Sequence, residues 1–345
     1  MTREVLVAIP DARRLAERVL QAFGAPPEHA CVQAAVLVAG EVRGHPSHGL
    51  LRLPRLVRRI RSGVLDPAAG GQLTWTHTGQ LMVDGQRGFG AVVAERALDA
   101  VTDRARETGT AVALVRNSNH IGMLAHYAER VAAQGQVLIA TTTSEALVHP
   151  WGGTTAMFGT NPLAIGVPTE TTPLVLDMAT GVVSMGKIHA YAAEGRPLQE
   201  GWAVDGQGRP TVVARAATSG AIAPFGGAKG YGLGIALEIL VTALTGAALG
   251  LEVRGTLDDD QVCNKGDVFI VIETANSSAA AITSYLDAVR SSPRLDPAVP
   301  VVVPGDRSAE RTASARGDGL LIPAALWAEL ESLANTNTHG GWVPL

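Results

Sequence analysis

The chain has 345 residues, 46% of them apolar and 17% charged, with a formal net charge of −4. That length and apolar content allow one large domain or two ordinary ones around a sizeable core. The slightly acidic balance supplies no global field to draw the chain to nucleic acid or to an anionic membrane.

The two cysteines, Cys31 and Cys263, make neither a disulfide framework nor a metal-ligand spacing. They read as two buried thiols in a reducing compartment. The N-terminus reaches Asp11, Arg13 and Arg14 without the apolar core of a signal peptide, so a cytoplasmic location is expected. The low charged fraction suggests an enzyme that hides part of its surface in an oligomer.

In chain order, residues 8–42 read as two helices. Pro10 and Asp11 open the first, Leu15, Val19 and Phe23 line one stripe of it, and Gly24, Pro26 and Pro27 end it. Gly44-His45-Pro46 forces a turn, because proline removes a donor and restricts its predecessor. A third helix is expected over 50–62, kinked near Pro54, followed by a linker at 63–71. The pattern then changes to mixed α/β. Strands are expected over 73–84 with a turn near Gly79, then over 111–115, 137–142, 163–167, 174–177 and 268–273. Helices are expected over 92–107, 123–133, 229–244, 279–291 and 323–334. The most apolar stretch, 232–251, carries Glu238 and four glycines and reads as a helix buried in a core rather than as a membrane span.

Five short segments have the residue types of a reactive site. Ser47-His48-Gly49 is followed by Arg52. An imidazole titrates near neutrality and can move a proton. A guanidinium fork can hold a carboxylate by two parallel hydrogen bonds. The same residues would equally serve as a capping serine, a hydrogen-bonded core histidine and a surface arginine. Asn117 to Gly122, with His120, follows a strand and precedes a helix, where sites tend to sit. His120 and His126 lack the spacing of a helical zinc pair, and no metal is expected. Gly159-Thr160-Asn161-Pro162 reads as turn chemistry or as a binding loop. Asp177-Met178-Ala179-Thr180 could place a carboxylate on a ribose and backbone amides on phosphate. Gly226 to Gly232, with Lys229, could cradle a phosphate at a helix start, although it is neither a Walker loop nor a G-x-G-x-x-G turn. Asp258-Asp259-Asp260 reads as an isolated acidic loop. The arginine run from 52 to 61 reads as a solvated helix face, with the outer arginines available to a subunit contact.

Taken in order, these segments resemble the malate/L-lactate/L-sulfolactate dehydrogenase-like family. That family also includes ureidoglycolate dehydrogenase, 2,3-diketo-L-gulonate reductase and Δ1-piperideine-2-carboxylate reductase. The matching stretches are Arg43 to Gly49, Asn119 to Gly122 with Tyr127-Ala128, Gly159 to Pro162, Asp177 to Thr180 with Gly186-Lys187-Ile188, Gly201 to Asp205, and Lys229 to Gly232. They span nearly the whole chain. The resemblance implies an α/β protein with a non-Rossmann, L-sulfolactate dehydrogenase-like fold: a mixed, largely antiparallel sheet with helices, plus an α-helical domain from both chain ends. The helical domain would comprise 1–72 and 293–345, and the NAD(P)-binding domain 73–292.

The resemblance further implies NAD or NADP as cofactor, a small carboxylate-bearing substrate and a homodimer. It implies hydride transfer to or from a 2-hydroxy or 2-keto acid, or reduction of a cyclic 2-imino acid. His48 matches the residue treated as proton donor in some relatives, and His120 the one treated as proton acceptor in others. Ser47, Arg52 and Asn161 would contact substrate. Ser144, Asp177, Met178, Ala179, Thr180, Lys229, Gly305 and Asp306 would contact cofactor. The chain departs from the family pattern at Val212-Val213-Ala214 and at Asp306, where a glutamate is usual.

Overall fold

A computed structural model of the chain describes residues 3–274 and 278–336. The chain opens with strand β1 (Glu4–Val7) and helices α1 (Ile9–Ala22), α2 (Pro27–Val42) and α3 (Leu53–Arg61). A mixed region follows: β2 (Gln72–His77), β3 (Gln80–Asp84), α4 (Gly90–Thr108), β4 (Thr110–Arg116), α5 (Leu124–Ala133), β5 (Val137–Thr142), β6 (Leu163–Val167) and β7 (Leu174–Met178). Then come α6 (Met185–Glu194), β8 (Ala203–Val204), β9 (Pro210–Thr211), α7 (Ala214–Ala217), β10 (Ala221–Ile222) and α8 (Ala228–Thr245). The chain continues through β11 (Asp267–Ile272), α9 (Ala279–Arg290), α10 (Asp306–Asp318), β12 (Leu320–Pro323) and α11 (Ala324–Ala334).

Seven strands form the main sheet in the order β2-β3-β4-β11-β5-β6-β7. Only β3 and β4 pair in parallel, joined by the crossover helix α4; every other neighbour is antiparallel. The sheet is therefore mixed and mainly antiparallel, as expected. Period-two alternation feeds both of its faces. Ala111, Ala113, Val115, Phe269 and Val271 face the core shared with α4 and α5. Leu114 and Val268 turn the other way, toward Val241 of α8.

Apolar residues from both chain ends share one core. Leu15 and Val19 of α1 pack with Leu320, Ile322, Leu326 and Leu330, and β1 pairs antiparallel with β12. Phe89 and Val92, at the start of α4, belong to the same core, which thus continues past the expected boundary at residue 72.

Several expectations are corrected. Pro54 does not kink a helix; it sits in the first turn of α3, where the missing N–H costs nothing. Two separate 3₁₀ turns, Pro46–His48 and Leu50–Arg52, precede that helix. The 229–244 helix is not buried all round: about a third of α8 is buried, and Ile239 and Leu240 are 54% and 44% exposed. Cys263 is buried, but Cys31 is only half-buried and accepts from Arg13. The acidic loop is not isolated, because Asp259 pairs with Arg55 and Arg58. Nor is the arginine run one solvated face, since Arg59 is 2% exposed. β1, α6, the small sheet β10-β8-β9, α10 and β12 were not expected at all. α10 buries only Ala315 and α6 only Ile188, so neither carries an apolar stripe that periodicity could detect.

Candidate active site

Sheet register gathers the sequence-distant segments at one end of the sheet. Asp267 at the start of β11 pairs with Val115 near the end of β4 and with Thr142 at the end of β5. Thr141 pairs with Leu163 at the start of β6, and Leu163 with Met178 at the end of β7. The loops carrying His120, Ser144, Thr160 and Thr180 therefore leave the sheet side by side.

The turn carrying Ser47 and His48 is held against this end by α2. A Cβ at Gly40 of α2 would lie 2.8 Å from the backbone His48 O, so glycine there allows the close approach of helix and turn. Glu41 Oε1 accepts from Leu50 N at 2.6 Å, and burial raises the Glu41 carboxyl against the pull of that amide. On the other side of the turn, a Cβ at Gly186 would lie 3.3 Å from the Ser47 side chain.

His48 and His120 meet. Their rings stack at 5.2 Å between centroids and 15° between planes, and His48 Nδ1 lies 3.3 Å from His120 Nε2. The Gly122 amide donates to His120 Nδ1 at 3.1 Å. His120 Nδ1 is thus an acceptor and its proton lies on Nε2, which donates to His48 Nδ1. His48 then carries its own proton on Nε2. Burial, with Arg52 and His45 nearby, lowers His48 to about 3. Burial, then Arg52 and His48, lowers His120 well below the usual imidazole value. Both rings are neutral at neutral pH.

Arg52 completes the group. Its Nε donates to Ser47 O at 2.8 Å and its Nη1 to Thr256 O at 2.9 Å, leaving Nη2 without a protein acceptor among the described residues. Burial and Arg55 lower it to about 10, so it remains a cation at neutral pH. Glu145 Oε1 accepts from the amides of Thr256 at 2.7 Å and Leu257 at 2.9 Å, which ties the Ser144 loop to the Arg52 anchor. Arg59 donates to Asn119 Oδ1, Asp258 O and Gln261 O at 3.1, 2.7 and 3.0 Å, clamping the same loop to the neighbour of His120. Tyr127, fully buried, donates to Ile121 O at 2.5 Å and fixes the His120 loop from below.

A second group adjoins the first. Ser144 Oγ accepts from Thr160 N at 3.0 Å, and Thr160 O accepts from both N and Oγ1 of Thr180 at 2.8 and 2.9 Å. Thr180 O accepts from Phe225 N at 3.0 Å, which brings in the loop opening α8. That loop holds Gly226 and Gly227 at φ of 57° and 63°, and exposed Lys229 forms no ion pair among the described residues. Asp177 is exposed at the end of β7 and accepts from Ala125 N, at the start of α5, at 2.8 Å. Met178 and Ala179 are half-buried beside it.

The remaining expected residues sit differently. Asn161 is 0% exposed and gives its amide N–H groups to Glu238 Oε2 at 2.6 Å and Gly234 O at 3.1 Å. Those acceptors occupy the donors that a substrate would need, so Asn161 braces its loop against α8. Asp306 is locked to Arg290 at 2.8 and 3.0 Å and accepts from Val303 N. Gly305 lies against Val175 in β7, near Asp177.

Sequence reasoning missed Glu145 and Thr256, whose roles depend on tertiary contacts that no local pattern indicates. No cluster of metal-binding side chains occurs among the described residues.

Comparison with known proteins identifies the family. Residues 7–331 match the malate/L-lactate dehydrogenase family. L-sulfolactate dehydrogenase of Methanocaldococcus jannaschii is 33% identical over 94% of this chain and 94% of its own length. Delta(1)-pyrroline-2-carboxylate reductase 2 of Burkholderia multivorans is 33% identical over 95% of this chain and 97% of its own length. The crystal structure of a dehydrogenase from Sinorhizobium meliloti superposes with a TM-score of 0.92 at 47% identity, covering 96% of this chain and 99% of that one. The chain thus belongs to the malate/L-lactate dehydrogenase family, and is an oxidoreductase of small hydroxy acids and their oxidised counterparts.

Proposed function

We propose that the chain moves a hydride between NAD(P) and C2 of a small 2-hydroxy or 2-oxo acid, with Arg52 anchoring the carboxylate and the His48–His120 pair handling the proton. The observation that carries this reading is the contact of the two imidazoles beside a guanidinium with an uncommitted Nη2. In the neutral pair His48 Nε2–H is a donor, suited to the oxygen of a 2-oxo acid. Reduction consumes one proton. A neutral pair giving one up would leave an imidazolate, so the pair must first take up an additional proton. A carboxylate bound to Arg52 favours this uptake, because it offsets the Arg52 charge that adds to burial in holding both histidines neutral.

The residues fit a dinucleotide. The positive-φ glycines before α8 open a helix N-terminus toward an anion, and Lys229 adds a cation. The exposed Asp177 carboxylate would accept from ribose hydroxyls. Ser144, Met178, Ala179, Thr180 and the Gly305 backbone would complete the contacts, while Asp306 would act through its bond to Arg290. When bound, the nicotinamide supplies the redox half of the reaction.

A homodimer is part of the same proposal. A helix apolar on every side needs cover on every side, and Ile239, Leu240 and Leu244 of α8 lie exposed beside Leu249 and Leu251. A second copy would cover them. The cysteine usage is compatible with a cytoplasmic setting.

A second reading, reduction of a cyclic 2-imino acid, draws support from the pyrroline-2-carboxylate reductase relative. Oxidation of NADH and NADPH, followed at 340 nm with 2-oxo acids and cyclic imines, separates the two. Turnover at near-wild-type rates in both His48→Ala and His120→Ala would overturn the proton-handling assignment.

A further inference from the structure

Trp151 is the most exposed tryptophan among the described residues, at 62%. Tryptophan is a residue type that folding normally buries in large part. Its loop joins β5 to β6, and the bond from Thr160 N to Ser144 Oγ closes the loop at its base. A bridge between Val148 and Phe158 zips the two arms together, and Trp151 lies at the tip. There Gly153 N donates to Pro150 O at 2.8 Å, which makes 150–153 a β-turn, and Gly152 takes the left-handed position after Trp151 at φ of 80°. His149 N donates to Ile222 O at 3.1 Å and ties this turn to β10. The backbone under the indole is therefore fixed, although most of the ring faces solvent.

One edge of the ring has a partner. A Cβ at Gly227 would lie 2.9 Å from Cζ3 of Trp151 and 3.1 Å from its Cη2, so the glycine before α8 lets the indole close on the backbone there. Gly227 belongs to the loop that would hold phosphate, and Lys229 follows two residues later. A flat apolar ring on a rigid mount, beside a phosphate site, has the shape and chemistry of a stacking platform for a heterocyclic base. Topology selects the base. The nicotinamide must reach His48 and His120. The base of the loop serves that end, because Glu145, next to Ser144, holds the Thr256 amide whose residue anchors Arg52. With nicotinamide at the loop base and phosphate at the glycines, the tip is left for the adenine.

We propose that Trp151 is a cofactor-binding residue, on whose indole the adenine ring of NAD(P) stacks. The inference rests on the reading of the α8 opening as a phosphate site given above. Adenine is common to both dinucleotides, so Trp151 adds affinity for each and favours neither. The turn holds the ring in place before the base arrives, so little side-chain freedom is lost on stacking.

The test measures Kd for NADH and NADPH from the fluorescence of the reduced nicotinamide, in the wild type, Trp151→Ala and Trp151→Phe. Reduced nicotinamide mononucleotide serves as the ligand without adenine. Trp151→Ala should raise Kd for both dinucleotides by about 5- to 100-fold, the range for losing one base–aromatic stack. Trp151→Phe keeps a ring face and should recover most of that loss. The mononucleotide should bind all three proteins alike. Trp151→Ala should keep Tm within about 2 °C of the wild type, because the position is exposed. A Kd for NADH that does not respond to Trp151→Ala overturns the stacking while leaving the dinucleotide reading in place. A loss shared equally by the mononucleotide also overturns it. So does a dimer that dissociates in Trp151→Ala with nucleotide affinity unchanged, since the indole would then belong to a subunit contact. If neither dinucleotide binds the wild type, the dinucleotide reading itself fails and the stacking falls with it.

Discussion

Replacing Lys265 by methionine should test how the active-site end of the sheet is held together. Lys265 Nζ lies 2.5 Å from Asp267 Oδ1, and the two side chains are 2% and 0% exposed. Thr142 Oγ1 also donates to Asp267 Oδ1 at 2.6 Å, while Oδ2 has no partner. Asp267 is in register with Val115 and Thr142, where β4 and β5 release the His120 and Ser144 loops. Lys265→Met leaves a carboxylate buried without its counterion, which costs about 3–5 kcal/mol. With an unfolding entropy of roughly 2.1 cal/mol/K per residue, a chain of this size should lose about 4–7 °C in Tm. The double variant Lys265→Met/Asp267→Leu should regain most of the loss, because a well-packed apolar pair can replace a buried ion pair at little cost. Thr142 would then fall back on Gly266 O at 3.1 Å. Calorimetric melting of both variants decides the matter. A fall below about 1 °C in the single variant, or a double variant no better than the single, refutes the argument. The Lys265 charge also helps to lower His120, so its loss should move the pH dependence of turnover upward.

Three further outcomes follow from the site and the surface. Arg52→Ala should raise KM for the carboxylate substrate by about 10- to 100-fold, and more than it lowers kcat, since charge-assisted bonds are lost in ground state and transition state alike; a pure kcat defect would contradict the anchoring role. His48 falls from an ordinary 6.5 to about 3 in the folded chain, so between those values the unfolded chain binds more protons and stability rises with pH. Tm should therefore drop from about pH 7 to about pH 5, by an amount that solvent screening of the half-buried ring reduces, and His48→Asn should flatten that decline; an unchanged slope would remove His48 from the account. Leu240→Glu on the exposed face of α8 should shift sedimentation from dimer to monomer without lowering Tm by more than about 2 °C, as an exposed position allows; an unaltered sedimentation coefficient would move the dimer contact elsewhere.

The elements legible in advance were those that bury one clear face. α1 shows an apolar stripe through Leu15 and Val19, and strands β3 to β7 and β11 alternate or run apolar between turn residues. α10 could not be read in this way, because its polar surface has one buried residue. Asn161 shows the converse limit. Its turn was legible, but its amide serves Glu238, a partner 77 residues further along the chain that no local pattern indicates.

What the sequence settled alone was chemistry by type: two imidazoles, a guanidinium, glycines before a helix, and an ordered set of segments that marks the family. What only tertiary structure decided was pairing. Antiparallel register brings the ends of β4, β5 and β7 and the start of β11 to one edge, and α2 presses the His48 turn onto it. Ring contact, proton position and the free Nη2 of Arg52 all arise there, because hydrogen bonds and desolvation act over a few ångströms of space and take no account of distance along the chain.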